Sequence, residues 1–591
     1  MFIVSNRLSI YLNRAISIAQ YLPILRWGRE YDKVKLIDDS MAAVIVAIML
    51  VPQALALALV AGLPPEAGLY ASIFGLSVYT LFGTSNTLSV GPVAVLSLMT
   101  AAALGKLGLS DPSQLVAAAL TLAFLSGLFL LLLGLMRLGF MANFLSHPVI
   151  SAFITASAII IGLSQVQHLL GTTSSGQNVI ELLLSLGESI EDINWLTLAL
   201  GLSSIAIIVW CRTGLSSLLS NFGLNGRLVT SISRSGPIVV ALLTGFLCYV
   251  FRLDQQGVQL LGEIPAGLPG LTVPNFSPDL IRSLFWSAVL LSIIGFVESI
   301  SVAQTLAAKR REQIELDQEL VGLGAANLAA SFSGGFPVCG GFSRSVVNYD
   351  AGAATPIAGF LTAILIASVA LLFTPLLYWL PKVALAAIIL VAVYPLLDFS
   401  ALGKSWRYSK SDFAAVSFTL FLTLLVGVEI GIASGVLASI LTHLYKTSQP
   451  HVAVIGRVAG TEHFRNEERH EVETFDNILS IRIDESLYFA NTRFLEELIF
   501  SLMAKKPKLE HVILMCTAVN AIDMSALQTL EKINQTLSEI GIKLHLSEVK
   551  GPIMDKLVKT TLFANLSGSN YLSHNQAVED LKSHDLPLSG L

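Results

Sequence analysis

Gly83-Thr84-Ser85-Asn86-Thr87-Leu88-Ser89-Val90-Gly91-Pro92 and Gly334-Gly335-Phe336-Pro337-Val338-Cys339-Gly340-Gly341-Phe342-Ser343-Arg344-Ser345 are the two stretches on which the reading of this chain turns. Each is polar, carries glycine and proline, and opens directly into an apolar run. Elsewhere in the first 450 residues the apolar runs approach the roughly 20 residues that a helix needs to cross a bilayer. They fall near 41–61, 67–82, 90–105, 114–135, 149–169, 194–211 and 237–251, then near 283–308, 320–333, 344–354, 356–374, 383–397, 411–426 and 428–446. The interrupted runs are the third and the tenth of fourteen, equivalent places if the chain is two repeats of seven. An odd number of spans per repeat inverts the second copy. Paired Gly/Pro-interrupted spans in two such halves point to a transporter's substrate site.

Composition agrees. Of 591 residues 54% are hydrophobic and 13% charged, and the mean hydropathy is +0.71. Thirty-three of the 77 charged residues lie in the last 141 positions, so the tail from His451 has soluble composition and the first 450 residues do not. A wholly soluble enzyme is excluded. The expected architecture is an α-helical polytopic membrane protein over 1–450 followed by a small cytoplasmic α/β domain over 451–591. The net charge of −5, without a polybasic run, argues against nucleic acid as a partner. Cys211, Cys248, Cys339 and Cys516 are too far apart for a metal knuckle or a disulfide framework. Neither a His/Asp/Glu cluster with metal-ligand spacing nor a Ser/His/Asp set stands together, so no cofactor and no embedded hydrolase is expected; His147 and His168 read as interfacial. Met1 to Ser40 is polar and basic and reads as lacking a cleavable signal peptide.

Loop charge orients the spans. With the N-terminus inside, Arg7, Arg14, Arg26, Arg29, Lys33 and Lys35 are cytoplasmic, as are Arg212, Arg227 and Arg234, then Lys309, Arg310 and Arg311, then Lys404, Arg407 and Lys410. The loop from Gly171 to Asn194 falls outside with four acidic residues and no Lys or Arg. Both termini are cytoplasmic in this threading, and the expected location is the plasma (cell inner) membrane.

The two interruptions suit an anion. Extended backbone at membrane depth is tolerated where it is buried or lines a wet cavity. Two half-helices starting there aim free N–H groups and positive dipole ends into the cavity. Arg344 adds a full positive charge. The blander reading, two loops with small residues for helix packing, is weakened by their matching positions and by an ionisable residue in an apolar context.

The chain then resembles a known family. Val51-Pro52-Gln53-Ala54-Leu55-Ala56-Leu57-Ala58 and Leu63-Pro64-Pro65-Glu66-Ala67-Gly68-Leu69-Tyr70 are similar to the first-helix signature of the sulfate permease family, whose animal members are the solute carrier 26 anion exchangers. Ser89-Val90-Gly91-Pro92 and Gly341-Phe342-Ser343-Arg344-Ser345 resemble its third- and tenth-helix openings, and the tail resembles its STAS domain. The resemblance implies two inverted seven-helix repeats divided into a mobile core and a gate, a homodimer, and an anion held between helices 3 and 10 and closed by helix 1. It implies that Ser343 donates its hydroxyl to the anion, that backbone N–H groups near Val90, Gly91, Phe342, Ser343 and Arg344 surround it, and that Gln53 and Leu57 form the facing wall. Some members carry an aromatic residue where Leu57 stands.

Glu298, in Gly295-Phe296-Val297-Glu298-Ser299-Ile300-Ser301, lies inside the eighth span. A carboxyl group in low dielectric resists ionisation, which suits a proton-coupling group, and family members thought to be proton-coupled have an acidic residue in this helix. The alternatives are a structural partner for Arg344 or a cap on helix backbone. Glu429 reads as solvated or structural at the outer interface, and Asp350 as a cap for the next turn.

Together these readings give a secondary active transporter that takes up an inorganic oxyanion, most simply sulfate, with protons by alternating access. Sodium-coupled bicarbonate transport and dicarboxylate transport are alternatives on the same fold, and an anion-sensing regulator acting through the tail is an alternative of another class. In the tail, Ile478–Ile483, His511–Met515 and Ile542–Leu546 read as strands, Ser525–Glu539 reads as an amphipathic helix, and Gly551-Pro552 opens another. Asn520 to Leu527 resembles the STAS loop-to-helix motif. Where bacterial regulators have a phosphorylated serine after the aspartate this chain has Met524, so Ser525 is expected to act as a helix N-cap.

Overall fold

A helix answers to each apolar run, among the described residues, in a computed structural model that describes residues 22–583 except 110, 141–145, 174–175, 177, 222–232 and 234. Arg7, Arg14, Arg227 and Arg234 lie outside the described residues. The first repeat comprises α1 (Lys33–Val60), α2 (Glu66–Phe82), the two-residue strand β1 (Val90–Gly91), α3 (Ala94–Gly105), α4 (Pro112–Leu135), α5 (His147–Leu170), α6 (Trp195–Asn221) and α7 (Gly236–Phe251). The second comprises α8 (Pro278–Arg310), α9 (Leu316–Ser331), β2 (Cys339–Gly340), α10 (Phe342–Asp350), α11 (Ile357–Leu372), α12 (Lys382–Val393), α13 (Lys410–Leu425) and α14 (Val428–Ser448). Seven helical runs are long and apolar enough to cross a bilayer unaided. α3 and α10, of 12 and 9 residues, cannot, because residues 83–93 and 332–341 are non-helical before them.

Local chemistry sets the helix ends. Asp32 caps α1 by accepting from the Lys35 N–H at 2.8 Å, and Asp111 caps α4 ahead of Pro112, whose missing N–H costs nothing in a first turn. Gly171 closes α5 in the left-handed conformation, φ +73°. The loop expected between Gly171 and Asn194 contains a helix of its own, Val179–Glu188, capped by Asn178 and anchored by buried Leu182 and Leu186 one turn apart. Its apolar stripe is only a few residues long, too short to stand out in the sequence.

The helix pairs obey an exchange rule. α4 packs along α9, and seven positions on, α11 packs along α2; α8 lies on α4 as α1 lies on α11. α5 pairs with α13 as α12 pairs with α6, and α1 touches α3 and α10 as α8 touches α10 and α3. Such permutation symmetry is what two copies of one seven-helix unit produce. β1 and β2 pair antiparallel, Val90 opposite Gly340 and Gly91 opposite Cys339, so the two half-helices leave their strands in opposite senses. That is the inversion.

Small residues bring helices together where hydrocarbon offers no hydrophobic drive. A Cβ on Gly324 of α9 would stand 2.7 Å from the Leu131 backbone nitrogen of α4. The main apolar core joins α2, α3, α4, α8 and α9, with Leu96, Met99, Leu122, Leu291 and Leu323 almost fully buried.

The chain divides into two compact units, Met1–Ser439 and Ile440–Leu591. In the second, β3 (Val452–Arg457), β4 (Phe464–Asn466), β5 (Ile478–Ile483), β6 (His511–Met515), β7 (Lys543–Ser547) and β8 (Asn570–Tyr571) form one sheet in the order β4-β3-β5-β6-β7-β8. β5 to β8 are parallel and β3 and β4 antiparallel. Alternating residues face opposite sides: Leu479, Ile481, Val512 and Leu514 meet α15 (Thr492–Met503) and α16 (Met524–Glu539), while Ile478 and Ile513 meet Ala577, Val578 and Leu581 of α18 (His574–Ser583), which follows α17 (Gly551–Leu557). The cap of α16 differs from expectation. Asp523, not Ser525, accepts from the Ala526 N–H at 2.8 Å, because the helix already begins at Met524; the other carboxylate oxygen accepts from the Phe489 N–H at 2.9 Å.

Candidate functional site

The two half-helices begin on either side of the β1–β2 pair. In α3 the first closed hydrogen bond runs from the Ser97 N–H to the Val93 carbonyl, and in α10 from the Ser345 N–H to the Gly341 carbonyl. The N–H groups of Ala94, Val95 and Leu96, and of Phe342, Ser343 and Arg344, therefore have no partner inside their own helices.

Polar side chains brace this crossing. The Ser299 hydroxyl of α8 accepts from the Gly340 N–H at 2.8 Å, and the Ser345 hydroxyl accepts from the Ser89 N–H at 2.9 Å. Asn327 of α9 both accepts from the Val338 N–H and donates to its carbonyl, at 2.9 and 2.8 Å, closing a miniature strand pair. Asn348 donates to the Thr87 carbonyl at 3.1 Å. Behind them Glu319 is fully buried and accepts from the Tyr79 hydroxyl, the Thr84 N–H and hydroxyl, and the Ser85 N–H, at 2.6–3.1 Å. Glu319 and Asn327 escaped the sequence reading. For Asn327 the signal was present, a strongly polar side chain inside the apolar run 320–333; Glu319 lies just before that run, among Glu315, Asp317 and Gln318, where a polar residue does not stand out.

Arg344 joins the two openings. Its side chain is 1% exposed, and Nη1 donates to the Pro92 carbonyl at 2.5 Å, immediately before α3. Gly91 and Gly341 leave the room for it: a Cβ on Gly341 would lie 2.9 Å from Cζ, and one on Gly91 3.3 Å from Nη2. Nε and Nη2 are buried and have no protein partner among the described residues. Buried donors on a full positive charge are almost always satisfied, and two left open beside two helix N-termini define a receptor for negative charge.

The other sequence-derived positions sort around it. Ser343 is partly buried, and its hydroxyl makes no hydrogen bond among the described residues; Phe342 is half-exposed. Val90 and Gly91 are buried within the strand pair, a turn ahead of the free N–H groups of α3. Gln53 stands one residue after Pro52, which removes a backbone donor from the middle of α1. Its amide oxygen is buried without a partner, and Leu57, one turn on, is 2% exposed.

Glu298 is partly buried, with Oε2 3.9 Å from the Cys339 thiol. No ion pair within 4.0 Å joins it to Arg344 among the described residues, so the direct structural partnership raised as an alternative does not form. Glu429 is not solvated: at 8% exposed it accepts from the Ser287 hydroxyl of α8 at 2.8 Å and pairs with Lys106 at the end of α3, the structural half of what was expected. Asp350 is the last residue of α10.

Comparison with known proteins gives the family and the fold. Residues 36–419 match the model of the sulfate permease family and residues 469–577 that of the STAS domain. The chain is 35% identical over 540 residues to sulfate transporter 4.1, chloroplastic, of Arabidopsis thaliana, covering 89% of this chain and 77% of that protein. It is 30% identical over 576 residues to high affinity sulfate transporter 2 of Stylosanthes hamata, covering 93% and 84%. Among solved structures it superposes on SLC26A9 with a TM-score of 0.87 at 23% identity over 96% of this chain and 94% of that one. Over 69% of its length it superposes on 98% of the transmembrane domain of a cyanobacterium bicarbonate transporter, BicA, with a TM-score of 0.59 at 24% identity.

Proposed function

The chain belongs to the sulfate permease family, and from that premise we propose that it is a secondary active transporter that couples uptake of an inorganic oxyanion, sulfate first, to protons. The observation that carries the reading is the buried Arg344 guanidinium with two open donors between two helix N-termini. Each helix end contributes about +0.5 charge, so with Arg344 the site presents about +2, the complement of a sulfate dianion. The names of the relatives support sulfate.

Arg344 would take two oxygens through Nε and Nη2, Ser343 one through its hydroxyl, and the first-turn N–H groups of α3 and α10 the rest. Gln53 and Leu57 on α1 would close the opposite side. Glu298, with Oε2 3.9 Å from the Cys339 thiol, would supply the coupling: a dianion and an ionised carboxylate repel, so anion and proton occupy the site together and leave together. Alternating access would carry the half-helix core past a gate built from the remaining spans. The functional chain would be a homodimer in the plasma or cell inner membrane with both termini cytoplasmic, residues 1–450 transporting and residues 451–591 forming the cytoplasmic domain, with no catalytic role.

The test is uptake of labelled sulfate into proteoliposomes of the purified protein, with an inward proton gradient compared against an inward sodium gradient at matched voltage. Proton-driven accumulation that Glu298→Gln abolishes, while sulfate binding persists, is the expected result. Unchanged pH-driven accumulation in Glu298→Gln would overturn the coupling role. Sodium-driven bicarbonate uptake without sulfate uptake would replace both substrate and ion.

A further inference from the structure

α8 carries a second feature that proton coupling at Glu298 does not require. Glu298 is partly buried and Ser301, Gln304, Thr305, Ala308 and Lys309 are exposed, whereas Val302, Ala303, Leu306 and Ala307 are buried. The exposed positions recur every three to four residues and form one stripe about three turns long. Hydrocarbon does not accept a face that presents a carboxyl, a hydroxyl, an amide and an ammonium in succession, so this stripe faces water.

α10 repeats the pattern. Ser343 and Phe342 at its start, then Val346 and Tyr349, are accessible, while Arg344, Ser345, Val347 and Asn348 are buried. The two stripes converge at the far end of α8, where Lys309 Nζ stands 5.7 Å and Arg310 Cζ 5.0 Å from the centre of the Tyr349 ring. Cation–π contact with the ring holds both charges at that end without neutralising them. Among the described residues the cations Lys309, Arg310 and Arg311 at this helix end are accompanied by three carboxylates: Asp350, which lines the same depression as Arg310 and Tyr349, Glu312, which accepts from Asn86, and buried Asp39, which accepts from the Ala354 N–H in the lining of that depression.

We propose that Lys309 and Arg310, stacked on Tyr349, form an entry site for oxyanions at the mouth of a wet channel that runs along α8 from Glu298 to the helix end. The proposal rests on the oxyanion-transport reading. Eleven residues of helix place Lys309 roughly 16 Å from Glu298. At that distance in water one unit charge changes the local concentration of a dianion by about two- to threefold, an effect that salt removes.

The experiment measures sulfate KM from the side on which α8 ends, in sided proteoliposomes at low and at high ionic strength. Lys309→Gln is expected to raise KM about two- to threefold at low ionic strength and Lys309→Gln with Arg310→Gln about fivefold, with Vmax unchanged and the differences gone at high salt. Lys309→Arg should restore the wild-type KM. An unchanged KM in the double variant at low salt overturns the entry site while the wild type still transports. Independently of transport, Ser301→Cys, Gln304→Cys and Thr305→Cys should react with a membrane-impermeant thiol reagent from that side much faster than Val302→Cys or Leu306→Cys. Equal reactivity of the two sets removes the channel. A wild type that moves no anion, with the stripe still reactive, would sink the transport reading alone.

Discussion

Gly341→Ala isolates the position of the Arg344 guanidinium from the integrity of the fold. Gly341 caps α10 with φ −91° and ψ 131°, a conformation any residue adopts, so alanine brings no backbone strain. Its methyl group would lie 2.9 Å from Cζ and from Nη2 of Arg344, inside van der Waals contact. The backbone there is tied to β1 by the bond from the Gly341 N–H to the Ser89 carbonyl at 3.2 Å, so the end of the arginine side chain is the part that yields. It yields by moving off the Pro92 carbonyl and turning its two open donors away from the cavity. Losing a good part of one hydrogen bond to a charged group is worth roughly 1.5 kcal/mol, which is about a tenfold rise in KM for sulfate. Gly91→Ala is the internal control. Its methyl would meet Nη2 at 3.3 Å and the Ser72 hydroxyl at 3.5 Å, a contact that a shift of a few tenths of an ångström relieves, so less than about a threefold change is expected. Labelled-sulfate uptake in proteoliposomes gives the KM values and thermal unfolding of the purified protein gives stability. A Gly341→Ala protein with wild-type KM, or one whose loss of transport simply follows a lowered melting temperature, would refute the reasoning.

Arg344→Ala removes the full positive charge placed at the half-helix openings and should weaken anion binding by at least about tenfold; equilibrium binding equal to the wild type would exclude Arg344 from the site. Glu429→Ala strands the Ser287 hydroxyl and frees Lys106; because Lys106 is half exposed, the expected loss is modest, about 1–2 kcal/mol, and an unchanged melting curve would show that the tie between α14 and the ends of α3 and α8 carries no stability. In the second unit, burial pushes His545 and His574 down to about 4 from 6.5, His545 also facing His511 and His574 bridging the Ser547 and Ser480 hydroxyls. The unfolded chain binds protons that the folded histidines refuse between those two values, so the stability they contribute is present above about pH 6.5 and lost as pH falls toward 4, roughly 2 kcal/mol per histidine by pH 5. Hydrogen exchange of β5, β6 and β7 in the full chain, corrected for intrinsic rates, should show that loss; equal protection at pH 7 and pH 5 would contradict it.

Much of the fold was legible because membranes constrain sequence strongly. A helix that crosses hydrocarbon needs a long apolar run, so the apolar runs announced the helices, and the two polar breaks at matching places announced the inverted repeat before any packing was known. The apolar run Ile478 to Ile483 likewise declared a buried strand in the tail. Short-range signals were less decisive. Asp523 and Ser525 are both good caps two positions apart, and the choice fell to Asp523 because its carboxylate serves the Phe489 N–H as well, a contact across 34 positions.

What the sequence by itself determined is therefore the list of elements, their order and the place where the apolar pattern is deliberately broken, because periodicity and composition are local properties of a chain. Only the tertiary structure decided where the polar groups at that break go. Arg344 turns to the Pro92 carbonyl rather than to Glu298, Glu319 gathers four donors from α2 and the chain before α3, and Glu429 is drawn into contact with Ser287 and Lys106. A buried charge or donor is settled by whichever partner comes within about 3 Å, and these partners lie 142 to 323 positions apart. No local pattern encodes such a distance. Packing does, through the glycines that let backbone and guanidinium share one space.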